Sequence, residues 1–301
     1  MAGAVAGCGC GAERATFASA RGMKLSVSQI AWQPGEDGEA HGLLAGMGIG
    51  VLEAAPTRHF PYGLDVVTEE ELIGLRRGAE GAGMRFGAMQ ALLFSKAREE
   101  GQPTRTGHLS VFGTEEVRRE LVDYLKRVID AAAVLGAGPL VFGSPGNRRR
   151  GGLEEETARG MAVPLFREVG EYAAGRGCVV AVEANPVDYG CDWLTGIEAV
   201  AEFVAVVDSP GVRVHWDCGC VRLNGEDAVG LLERLAPVLA HYHVSVPFLK
   251  EPGEDGFPHR ECAAVLRAAG YGGLVSLEMG RSSRGLDGLR ESAAKLVEWY
   301  A

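Results

Sequence analysis

Four stretches in the second half of the sequence end an apolar run on a residue able to bind a metal ion. They are Glu183 in "VVAVEANP", Asp217 in "VRVHWDCG", His243 in "AHYHVSV" and Glu278 in "GLVSLEMG". Three carboxylates and one imidazole make a hard, oxygen-rich donor set, which suits Mn2+, Mg2+ or Co2+ better than structural zinc. Gathered in one pocket without a counter-charge, three carboxylates repel and take up protons; one divalent cation removes that conflict. A single acid at a strand end is ordinarily a loop-facing residue, so the argument rests on four in succession. His215 and His241 lie two residues before Asp217 and His243, on the same strand faces but one layer deeper. Both read as hydrogen-bonded core histidines.

These side chains converge only if the strands carrying them are neighbours with their ends at one rim. Eight short, nearly continuous apolar runs recur along the chain, at 24–32, 48–56, 84–94, 138–145, 178–186, 212–219, 239–247 and 273–280. Continuous rather than alternating apolarity marks parallel strands buried on both faces. Between them lie helical patterns with start signals: Thr68 before "EEELIGLRRGAEGAG", Thr114 before "EEVRRELVDYLKRVIDAAAVLGAG", and stretches at 154–175, 195–208, 226–236, 258–270 and 283–299. Eight strand–helix repeats predict an α/β fold with a single (β/α)8 TIM barrel, whose usual size is ~250 residues. A doubly wound sheet is the runner-up, but "QIAWQPGEDGEA" after the first strand has no GxGxxG turn. In a barrel the C-terminal ends of the strands form the chemical face. The barrel domain is expected over 23–301, preceded by a flexible extension at 1–22. The segment 95–113 reads equally as a lid or a plain surface excursion.

Composition narrows the function classes. A formal net charge of −10 argues against a nucleic-acid partner, whose phosphates require a basic footprint. No apolar run reaches the ~18 to 20 residues that span a bilayer, and the N-terminus lacks the basic start and apolar core of a signal peptide. Seven cysteines without an even framework indicate reduced thiols in a cytoplasm. Cys8 with Cys10, and Cys218 with Cys220, are too closely spaced for a zinc ribbon.

The order Glu, Asp, His, Glu on strands five to eight resembles the xylose-isomerase-like TIM-barrel superfamily of sugar (phosphate) isomerases and epimerases, over residues 23–300. "LEAAPTRHF", "MQALLF", "VFGSPGNR" and "EANPVDYGCDW" add to the likeness. The resemblance implies that Glu183, Asp217, His243 and Glu278 bind one divalent metal, and that Glu183 and Glu278 are the catalytic acid/base pair on opposite faces of a substrate. Removing a proton from carbon beside a carbonyl requires an oriented carboxylate and a stabilised enediolate, for which a metal chelated by the substrate oxygens serves. Members that epimerise free ketoses carry three substrate-gripping groups that are absent here: a Glu where this chain has Tyr189, a His at Cys220 and an Arg at Leu249. A plain free-ketose 3-epimerase is therefore disfavoured.

Other residues are expected to hold the substrate: Glu53, Gln90, Asn147, Arg148, Asn185 and Lys250. The turn "GSPGNRRRGG" with its arginines is suited to a phosphate or carboxylate. Trp32 and Trp193 read as a wall against a sugar face or as core packing. The functional expectation is a metal-dependent isomerase or epimerase of a sugar, sugar phosphate or keto-sugar derivative. A dehydratase of the inosose type on the same site is the alternative, distinguished by loss of water. An endonuclease-IV-like repair enzyme is disfavoured by the charge and the seven histidines, and a non-catalytic subunit by the intact quartet. The expected partner is a small carbohydrate, with homo-oligomerisation left open.

Overall fold

Each apolar run forms a strand because its β-branched and aliphatic side chains are buried on both faces. In the computed structural model, which describes residues 22–253 and 256–301, the strands are Lys24–Ser28 (β1), Val51–Ala54 (β2), Arg85–Met89 (β3), Pro139–Phe142 (β4), Val179–Val182 (β5), Val212–Asp217 (β6), Leu239–Val244 (β7) and Leu274–Leu277 (β8). They pair in parallel in sequence order, and β1 closes on β8. The result is a single closed (β/α)8 barrel, as the alternation predicts.

The helices of the outer ring are Asp37–Gly46 (α1), Pro56–His59 (α2), Glu69–Gly81 (α3), Glu115–Leu135 (α4), Glu155–Ala174 (α5), Ile197–Val207 (α6), Cys218–Leu223 (α7), Ala228–Leu235 (α8), His259–Ala268 (α9) and Leu286–Tyr300 (α10). The start signals act as expected. Thr68 accepts from the Glu71 amide while the Glu71 carboxylate accepts from the Thr68 amide at 2.8 Å, a reciprocal capping box on α3. Three helices were not anticipated: α1, the four-residue α2 and α7. In α1 three glycines dilute the apolar stripe, leaving Ala40, His41 and Leu44 to face the barrel. At α7 the strand-like run stops two residues early, because the Asp217 side chain caps the next turn.

Segment 95–113 is pinned down along much of its length. Thr106 donates to the Leu93 carbonyl at 2.6 Å, Val111 is tied to Asn147, and Leu109 and Val111 are buried. The expectation for residues 1–22, with the Cys8 and Cys10 pair, falls outside the described residues except at Gly22. Among the described residues no helix is long and apolar enough to cross a membrane.

The base of β6 depends on a close approach. A Cβ on Gly211 would overlap the carbonyl oxygen of Gly170 on α5, and one on Gly170 would overlap Val212 and Ser209. Backbone cannot yield as a flexible side chain does. Gly211→Ala is expected to cost about 1–3 kcal/mol by overpacking, read as a lower urea midpoint with unchanged slope; an unchanged midpoint contradicts this packing.

Candidate metal and active site

The barrel delivers the four predicted ligands to one rim. Asp217 on β6 is in register with His243 on β7. The ladder continues one residue past β5 and β8, since the Glu183 amide donates to Phe142 and the Glu278 amide to Val244. Side-chain alternation then does the sorting. His215, Asp217, His241 and His243 are among the buried polar residues, while the intervening Trp216 and Tyr242 stack in parallel and Tyr242 reaches Tyr300 on α10.

His243 stands at the centre. Its Nδ1 lies 3.3 Å from Glu278 Oε2 and 3.7 Å from Asp217 Oδ2, yet this buried atom has no hydrogen-bond partner among the described residues. Glu183, His215, Asp217 and His243 each offer a donor atom, and these atoms lie within 4.8 Å of one another. His215 Nε2 is 3.5 Å from Glu183 Oε1. An orphaned imidazole nitrogen among carboxylates is the arrangement a divalent cation satisfies, so the residues fit such an ion.

Three of the four candidate ligands are braced. Asp217 Oδ1 accepts the Cys220 amide and Oδ2 the Ser245 hydroxyl, both at 2.6 Å. Asn185 donates to Glu183 Oε2 at 2.6 Å. Gly143, at the end of β4, leaves room for the same carboxylate, which a Cβ there would strike. The Nε2 of His243 meets the Glu53 carboxylate from β2 at 3.0 Å, and His241 Nε2 and Ser276 Oγ complete that acid's partners. With Nε2–H donated to Glu53, loss of the proton on Nδ1 would present its lone pair to a cation among the acids.

Electrostatics follow from this crowding. Burial, followed by repulsion from Asp217 and Glu278, pushes Glu183 up to about 8, and burial also raises Glu278. Burial opposes a charge on His243, but Glu53 and Glu278 outweigh it and hold the imidazole protonated well above its usual range. Glu53 stays ionised despite burial because His243 and His241 face it. Burial keeps His215 and His241 neutral. Without a cation, the site balances its acids with protons.

A cavity of about 660 Å3 opens above this floor, lined by Glu183, Asp217 and Glu278 together with the expected contacts Gln90 and Asn185. The other four expected substrate contacts lie elsewhere. Glu53 is wholly buried beneath His243, on a strand whose register shifts between Leu52 and Glu53. Asn147 holds the carbonyls of Thr106 and Leu109. Arg148 is fully buried off the cavity, and Lys250 is exposed outside it. Trp32 and Trp193 are core residues; Trp193 packs against Phe112 and Phe203. Residues the sequence reading missed are Ser245 and Ser276, which have only their period-two spacing from His243 and Glu278 as a signal, and the bracing role of Glu53.

A family described as "Xylose isomerase-like TIM barrel" matches residues 43–300. No curated protein matches the sequence. Among solved structures, a D-psicose 3-epimerase from Clostridium cellulolyticum H10 with D-tagatose is 15% identical, with a TM-score of 0.71, covering 92% of this chain and 97% of its own. A 3-keto-D-glucoside 4-epimerase from E. coli is 17% identical, with a TM-score of 0.66, covering 91% and 98%. A sugar phosphate isomerase/epimerase from Parabacteroides distasonis is 16% identical, with a TM-score of 0.66, covering 95% and 98%. At these identities the likeness is one of fold.

Removing the brace beneath His243 tests the geometry. Glu53→Gln is expected to weaken Mn2+ binding about 10- to 100-fold by calorimetry while the circular dichroism spectrum is retained. Undiminished affinity would show that Glu53 does not orient the imidazole.

Proposed function

The chain belongs to the xylose isomerase-like TIM barrel family, and from that premise we propose that it is a divalent-metal-dependent isomerase or epimerase of a sugar, sugar phosphate or keto-sugar derivative. The observation that carries this reading is the gathering of donor atoms from Glu183, His215, Asp217 and His243 within 4.8 Å of one another, with Glu278 3.3 Å from the unpartnered Nδ1 of His243, at the floor of a cavity. The sugar epimerases among the structural neighbours support it.

The four residues would hold one ion of the Mn2+, Mg2+ or Co2+ type, with His215 close behind Glu183. Such an ion supplies charge neutralisation for the acids and polarisation of a substrate carbonyl. The chain's own groups do the rest. Glu183, oriented by Asn185, removes the proton from carbon beside the carbonyl. Glu278, delivered by the last strand, returns a proton to the other face, which inverts the carbon, or to the adjacent carbon, which moves the carbonyl. Both carboxylates are only slightly exposed, which keeps bulk water from competing for those protons. The acidic net charge and the buried thiols accord with a small-molecule enzyme of a reducing cytoplasm rather than a nucleic-acid partner.

Solvent deuterium exchange into a panel of ketoses and keto-glycosides tests the reaction. Glu183→Gln and Glu278→Gln are each expected to lower exchange about 10²–10⁴-fold, beyond any loss of bound metal measured on the same samples. Release of water would assign a dehydratase instead, and unaltered exchange in both variants would overturn the acid/base roles.

The protons that balance the empty acids must leave when a cation enters. His243 is held protonated and Glu183 titrates near 8, so raising pH removes competitors for the ion. Mn2+ affinity is therefore expected to rise with pH toward about 8, with proton release that varies with buffer ionisation enthalpy in calorimetry. Affinity independent of pH between 6 and 8 would contradict this.

A further inference from the structure

The cavity is lined by both polar and apolar side chains. Its floor is acidic and amide-bearing, with Glu183, Asp217, Glu278, Asn185 and Gln90, whereas Phe94, Tyr189, Phe248 and Leu249 line another part of its wall. Phe94, Phe248 and Leu249 are 56%, 58% and 42% exposed, so they stand at its mouth as open apolar surface. Exposed large apolar side chains grouped at a pocket are the usual mark of a binding surface.

Their placement is enforced by the backbone. Phe248 and Leu249 adopt φ of 63° and 56°, a left-handed conformation that such side chains seldom take. The loops after three strands hold them there. The Phe248 amide donates to the Tyr189 hydroxyl at 3.0 Å, the two rings meet edge to face at 5.5 Å, and the Gly280 amide donates to the Leu249 carbonyl at 2.8 Å.

The wall also lacks what a charged substrate requires. Among the described residues no lysine, arginine or histidine lines the cavity. The arginines expected to grip a phosphate are engaged or buried elsewhere: Arg149 donates to the Gly190 carbonyl, and Arg148 is fully enclosed. A phosphoryl group would meet the carboxylates without a cationic side chain to hold it. Tyr189, Cys220 and Leu249, which stand where free-ketose epimerases carry charged or polar grips, all line the cavity. Its volume is in the range that encloses a drug-sized ligand (~300–1,000 Å3), which leaves room beyond one sugar ring.

We infer that the site takes an uncharged, two-part substrate: a sugar unit whose oxygens reach the acidic floor, and a flat apolar aglycone seated among Phe94, Phe248 and Leu249. The substrate class is thus a keto-glycoside with an aromatic or similarly apolar substituent, not a free ketose or a sugar phosphate. The sugar half rests on the proposed function; the apolar half does not.

Calorimetry on the Mn2+-loaded protein separates these possibilities, with phenyl β-D-glucopyranoside, methyl β-D-glucopyranoside, fructose and fructose 6-phosphate as probes. The phenyl glycoside is expected to bind about tenfold more tightly than the methyl glycoside, the scale of one good aromatic contact. Phe248→Ala and Phe94→Ala should each bring that ratio toward one while leaving Mn2+ affinity unchanged, and fructose 6-phosphate should bind no better than fructose. Equal binding of the two glycosides, no binding of either, or preference for the phosphate ester would overturn the inference. Loss of the proposed reaction is distinguishable: a protein that prefers the phenyl glycoside yet exchanges no deuterium retains the aglycone site and loses only the isomerase reading.

Discussion

Three carboxylates and an imidazole held together away from water form an arrangement that cannot be neutral by itself, and much of this barrel's mouth is organised around that charge. Asp217 is satisfied by a helix cap and a serine, Glu183 by an amide and a glycine-sized gap, and His243 by a second acid below. Nδ1 of His243, which has no hydrogen-bond partner among the described residues, faces the remaining acids, and the nearby His215 ring is likewise unpartnered. A divalent cation completes the set; without one, protons on Glu183 and His243 take its place.

Closure of the sheet makes this possible. Glu53 and His243 are 190 residues apart, and only a closed barrel brings a β2 acid under a β7 imidazole. Ser276 of β8 and His241 of β7 share the same carboxylate, so the polar layer is stitched across the interior rather than along one edge. The partners gathered on the Glu53 carboxylate let this buried acid stay ionised. The same rim carries the opposite chemistry a few residues further on, where the loops after β3, β5 and β7 bring Phe94, Tyr189, Phe248 and Leu249 to the cavity. In the proposed reading, one set of strand ends orients sugar oxygens while its loops select what is attached to them.

Much of this was legible in the amino-acid sequence. Continuous apolar runs located all eight strands, because strands buried on both faces have no alternation to obscure them. The acids and histidine that end the last four runs were visible for the same reason. Helices α1, α2 and α7 were not, since glycines in α1 and a strand-like run at α7 mask the helical period, and α2 is only four residues long. Substrate contacts were the least legible. Glu53 has the same local look as Glu183, yet one lies inside the barrel and the other at its mouth, a difference of depth that no local pattern records. Asn147 and Arg148 sit in a turn that reads as a phosphate grip but is tied into the 106–111 segment and buried.

The central claim is that Glu183, Asp217, His243 and Glu278 hold one cation. Anomalous scattering from crystals grown with Mn2+ addresses it most directly. The account predicts a single peak bonded to Nδ1 of His243 and to the surrounding carboxylates at the barrel mouth. A peak on the other side of the ring, at Nε2 with Glu53 and His241, or no peak at full Mn2+ excess, would contradict it.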